Sequence, residues 1–130
     1  MTLGAEPVPE RRRRRSDDPI TALHYCLSFT RREAALEALV LVDDRGCLVA
    51  GAGAWPACEE LAAYAPLLAN PAAIGNSSLG SRLQALSAEV EVQAFTIDGG
   101  EVLLCGRGGD QQRRDFIDRA AVGCRRILAG

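Results

Sequence analysis

Apolar and polar positions along the chain repeat with two different periods, and each change of period marks an element. Ile20, Leu23 and Leu27 recur at helical spacing, so a first helix is expected with this stripe inward, ending between Thr30 and Ala35. Asp18-Pro19 starts it, because the Asp side chain accepts from free backbone N–H groups and Pro is preset for the first turn. The pattern then turns β-rich. Leu39-Val40-Leu41-Val42, the polar turn Asp43-Asp44-Arg45-Gly46 and Cys47-Leu48-Val49-Ala50 read as a hairpin. Beyond Gly51 and Gly53, Trp55-Pro56 opens a second helix with Glu59 and Glu60 in its first turn and Leu61, Tyr64, Ala65 and Leu68 inward. Pro66 is expected to kink or shorten that helix, and Asn70-Pro71 to close it.

Residues 71–88 read as a loop followed by a helical turn or two. A second hairpin is clearer: Glu89 to Ile97 alternates, Asp98-Gly99-Gly100 turns, and Val102-Leu103-Leu104-Cys105 returns. Asp110 then caps a last helix with Phe116, Ala120, Gly123, Cys124 and Ile127 inward and Arg113, Arg114, Arg119 and Arg126 mostly outward. The order α-ββ-α-ββ-α predicts an α/β (α+β) fold, a central antiparallel sheet with flanking helices.

So few helices cannot cover both faces and both edges of a four-stranded sheet, so one strand is expected to keep unpaired N–H and C=O groups. Cys47 to Ala52 carries no charge and no Pro to discourage pairing. The second helix has no charged residue between Leu61 and Asn70, and a helix apolar almost all round is not the surface helix of a monomer. A homodimer is therefore expected, with Leu48, Ala50, Leu61, Tyr64 and Leu68 as candidate dimer or partner contacts.

Composition narrows the picture. At 130 residues, 48% hydrophobic and 25% charged, the chain suits one packed domain. Residues 1–17, with Pro7, Pro9 and five consecutive arginines, Arg11, Arg12, Arg13, Arg14 and Arg15, have little to bury and are expected to be a disordered tail ahead of a single domain at 18–130. Residues 1–18 balance five Arg against Glu6, Glu10, Asp17 and Asp18, net +1; residues 19–130 balance ten Arg against thirteen acids, net −3. The domain is mildly acidic, so nucleic acid is not an expected partner. The Arg run is a candidate contact for an acidic surface, against the plainer reading of a solvated tail. No apolar run is long enough to span a membrane and no secretory pattern opens the chain, so a cytoplasmic protein is expected.

Chemistry is sparse. His24, the only histidine, lies two residues from Cys26, and on a helix these point apart; no Cys-x-x-Cys pair occurs. Neither metal nor cofactor is expected, and His24 is read as half-buried. The five cysteines, Cys26, Cys47, Cys58, Cys105 and Cys124, are widely spaced among apolar neighbours and are expected reduced, with Cys58 or Cys47 the candidate for an exposed reactive thiol. No Gly-x-Ser-x-Gly elbow accompanies the histidine, so no enzyme is expected. Gly106-Arg107-Gly108-Gly109 sits where a phosphate loop could, but no third Rossmann glycine and no Lys-Ser/Thr pair follows, and it reads as a plain loop that lets the last helix swing across the sheet.

The stretch from Glu37 to Gly53, with Val42-Asp43 ahead of Gly46 and small residues at its end, followed by the helix from Glu59 to Ala65, resembles the roadblock / dynein light chain family. That resemblance implies a small profilin-like α/β domain, paired through a helix and a sheet edge, without catalytic residues. It further implies a scaffold or regulator of Ras-like small GTPases, as in bacterial systems of polarity and gliding motility. A GAF-like sensor shares the Val-Asp-x-x-Gly hairpin and implies instead a small ligand between sheet and helix.

Overall fold

A computed structural model describes residues 18–70, 85 and 87–129. The expected tail with Arg11 to Arg15, and most of the stretch between the second helix and second hairpin, lie outside them. Helix α1 (Pro19–Ala34) starts at Asp18, whose Oδ1 accepts from the Thr21 N–H at 3.3 Å, and ends where Ala35 adopts φ 55° and donates to the Arg31 and Arg32 carbonyls. Leu23, Leu27, Thr30 and Ala34 form its inward stripe; Ile20, expected inside, is 44% exposed.

Strands β1 (Leu36–Val42) and β2 (Leu48–Gly53) form the first hairpin. Asp43 organises its turn: one carboxylate oxygen accepts from the Arg45 and Cys47 N–H groups, each at 2.9 Å, and Gly46 supplies φ +84°. Helix α2 (Trp55–Ala69) follows, without a side-chain cap. Pro66 does not end it, for the helix runs on to Ala69. Glu59 and Glu60 fall beyond the first turn rather than in it. Strands β3 (Val90–Ile97) and β4 (Gly100–Gly108) form the second hairpin, closed by the two residues Asp98 and Gly99, both at positive φ as a tight hairpin turn requires. Helix α3 (Arg113–Ala129) completes the order.

Among the described residues, four strands pair antiparallel in the order β2-β1-β4-β3. Helices α1 and α3 cover one face, where Leu23, Leu27, Leu39, Leu41, Leu104, Ile117, Ala120 and Cys124 pack together. Helix α2 covers the other, over Ala38, Val40, Val42, Leu103 and Cys105. β1 is therefore sandwiched, its alternate residues feeding two cores, which explains its unbroken apolar run. The inward face of α3 is Ile117, Ala120, Ala121 and Cys124; Phe116, Gly123 and Ile127 border it, only partly buried.

The Gly106-Arg107-Gly108 run is strand, not loop. Gly106 is small because α3 crosses it: a β-carbon there would stand 2.6 Å from Ile117 Cδ1 and 3.1 Å from Leu39 Cδ1.

Candidate interaction surface

The α2 face carries the features that distinguish this domain from a plain sandwich. Of α2, Cys58, Leu61, Ala62 and Ala65 turn into the core, whereas Tyr64 and Leu68 are only partly covered and pack at its border. Leu68 and Ala69 face Val90, Glu91, Val92 and Ala94 of β3 and Ser87 across an open groove of about 330 Å³. An apolar helix flank and an outer strand thus meet along one side of the molecule.

One arginine ties that helix to the sheet. The Arg107 guanidinium, largely buried, lies 2.9 Å from a Glu60 oxygen of α2, 3.1 Å from Glu37 of β1 and 3.8 Å from Glu89 just before β3. The Glu60 contact is a hydrogen bond; Nε beside Glu37 is an ion pair without hydrogen-bond alignment. Glu60 thus stabilises the sheet contact instead of the helix dipole.

The five expected contact residues separate into three groups. Ala50 is buried under the α1 face and Leu61 is 0% exposed in the α2 core, so neither is offered to a partner: alternation along β2 and the rotation of α2 turn them inward. Leu48 is partly buried on β2, one outer strand. Tyr64 and Leu68 are partly covered on α2, and Leu68 lines the groove beside β3, the opposite outer strand.

The remaining candidates spread apart. His24 is exposed on α1, its Nδ1 3.1 Å from the Gly51 carbonyl oxygen, rather than half-buried. Cys47 is exposed; Cys58, offered as an alternative exposed thiol, is 1% exposed and its Sγ lies 3.5 Å from the Ala52 carbonyl oxygen. Burial pushes the Cys58 thiol up and the Cys105 thiol up to about 12. Among the described residues no group of three His, Cys, Asp or Glu side chains is placed to hold a metal, and no helix is long and apolar enough to cross a membrane. The Arg107 cluster was missed because its carboxylates come from three distant parts of the chain.

Among the described residues, three helices split two and one across a β2-β1-β4-β3 antiparallel sheet define a roadblock-like α+β domain. The particular likeness is to MglB. The chain is similar to Myxococcus xanthus MglB at 19% sequence identity and a TM-score of 0.55, over 83% of this chain and 88% of that one. It is similar to the gliding protein MglB from Thermus thermophilus at 17% identity and 0.57, over 85% and 90%, and to an MglB with a tetrameric arrangement at 18% and 0.57, over 85% and 90%. No family model and no curated protein sequence matches the chain.

Proposed function

We propose that this chain is a non-catalytic regulatory module of the cytoplasm that works as a homodimer on a small Ras-like GTPase. The observation that carries the reading is the fold shared with MglB over most of both chains. The description of one such neighbour as tetrameric supports self-association. The roadblock resemblance of the first hairpin supports the GTPase partner. Self-association is assigned to the side where α2 meets β3: Tyr64 and Leu68 present apolar area there, and an outer strand has backbone groups to offer a second copy. Leu48 and the β2 edge remain for the partner or a higher assembly.

Light scattering tests the dimer: a mass near twice 13.8 kDa is expected at micromolar concentration, and a stable mass of 13.8 kDa rejects it. Leu68→Glu should yield a folded monomer, whereas Leu61→Glu should unfold the chain, because it puts a charge into a closed core. Affinity capture by the full chain from its own cell, followed by titration with the recovered GTPase in GDP- and GTP-loaded forms, tests the partner. Binding that depends on the nucleotide supports the assignment; no GTPase among the captured proteins rejects it.

A further inference from the structure

Helices α1 and α3 lie side by side on one face of the sheet, and small residues of α3 line their contact. Ala120 is buried there and Gly123 partly buried. Facing them from α1 is Cys26, whose Sγ lies 4.0 Å from the Ala120 carbonyl oxygen. A β-carbon on Gly123 would stand 3.2 Å from that sulfur, so the glycine leaves a notch in which the thiol sits. Cys124 follows Gly123 directly, lies one turn on from Ala120 and is fully buried in the core against which Cys26 packs. Two cysteines distant in sequence therefore flank one helix contact, where small neighbours favour the close approach a disulfide requires. Cys26 keeps partial exposure and Cys124 has none, so one thiol is reachable and the other waits behind it.

We infer that Cys26 and Cys124 are a redox site that closes into an intramolecular disulfide when the protein meets a hydroperoxide, and reopens with a dithiol reductant. In the first step the Cys26 sulfur attacks the peroxide: an S–O bond forms, the O–O bond breaks, and the departing hydroxide takes up a proton to become water. Cys26 is then a sulfenic acid. In the second, the Cys124 sulfur attacks the Cys26 sulfur; the S–S bond forms, the S–O bond breaks, and hydroxide leaves as water with the proton Cys124 gives up. The pair loses two electrons and two protons, and hydrogen peroxide is reduced to two waters. Electrostatics favour this order. The neighbouring Cys124 thiol outweighs burial and lowers Cys26 from the usual 9.0, which raises its thiolate fraction. The same contact, with burial, pushes Cys124 up and keeps it a thiol until the sulfenic acid forms.

Hydrogen peroxide is the probe for the test, added to the full chain under native conditions. Titratable thiols should fall from five to three, the intact mass should drop by two hydrogen atoms, and a peptide map should join the Cys26 and Cys124 peptides within one chain. Dithiothreitol should reverse all three. Cys26→Ser and Cys124→Ser should each abolish the mass loss, and Cys47→Ser should leave it intact. A link through any other cysteine, a link only between chains, or an over-oxidised Cys26 with no link overturns the inference. The wild-type peptide map decides the matter even where a variant fails to fold.

Discussion

At the scale of single residues, the side chains that matter most serve the backbone. Asp43 accepts two backbone N–H groups with one oxygen while its own carbonyl takes the Gly46 N–H at 3.0 Å, so the Val-Asp signature of the first hairpin is a turn-closing device. Asp43→Ala should cost about 1 kcal/mol in a urea melt, the net worth of a typical hydrogen bond, because the freed donors are exposed and water replaces part of the loss. The buried thiols set a different limit. Below pH 9.0 an unfolded Cys105 and a folded one are both protonated. Above it the unfolded thiol ionises while the folded one holds its proton up to about 12. Stability should therefore fall with rising pH across that window, since the unfolded state then binds fewer protons. Denaturant melts at stepped pH check the sign: Cys105→Ala should be less stable at pH 7 yet lose stability less steeply above pH 9. No flattening would mean that other groups govern the alkaline limb.

At the scale of elements, what could be read in advance was whatever is local. Both hairpins were legible because Asp43 to Gly46 and Asp98-Gly99 carry their own turn chemistry, and α1 was legible because Asp18-Pro19 is a cap within one turn. Which way a helix faces is decided by its neighbours, and there the reading slipped. Cys26, not Ile20, meets α3; Ile117, not Phe116, fills the gap over Gly106; Leu61 is sealed while Leu68 is not. At the candidate surface, Leu61 and Ala50 could not be known as buried from local pattern, because which strands and faces flank α2 depends on the sheet order. The apolar docking of α2 is reinforced by Arg107, which no periodicity announces. Arg107→Met should destabilise the chain by about 2 kcal/mol, less than a fully buried pair because Glu37 and Glu89 are half exposed. Thermal melts in low and high salt check this. The wild-type advantage should shrink with salt, and Lys at this position should restore only part of it, having a point charge where the guanidinium reaches three carboxylates.

Across the whole molecule, the sheet order places partners far apart in sequence at its centre. β1 pairs with β2 through a short turn on one side and with β4 on the other, so Val40 faces Gly51 across one ladder and Cys105 across the other. A fragment ending before Gly100 should therefore fail to fold, showing little protected amide hydrogen exchange, while the chain through Ala129 protects β1 most strongly. Protection of β1 in the fragment would show that the first hairpin stands on α1 and α2 alone. The same arrangement sets a clock for biosynthesis. The ribosome makes the most apolar strand early and its second neighbour late, so for the time taken to translate from Asp43 to Gly108 the nascent strand carries one bare ladder and an incomplete core on each side. A slow stretch of codons in that interval should lengthen its dependence on holding chaperones, whereas one placed ahead of Leu36, before the apolar strand is made, should matter far less.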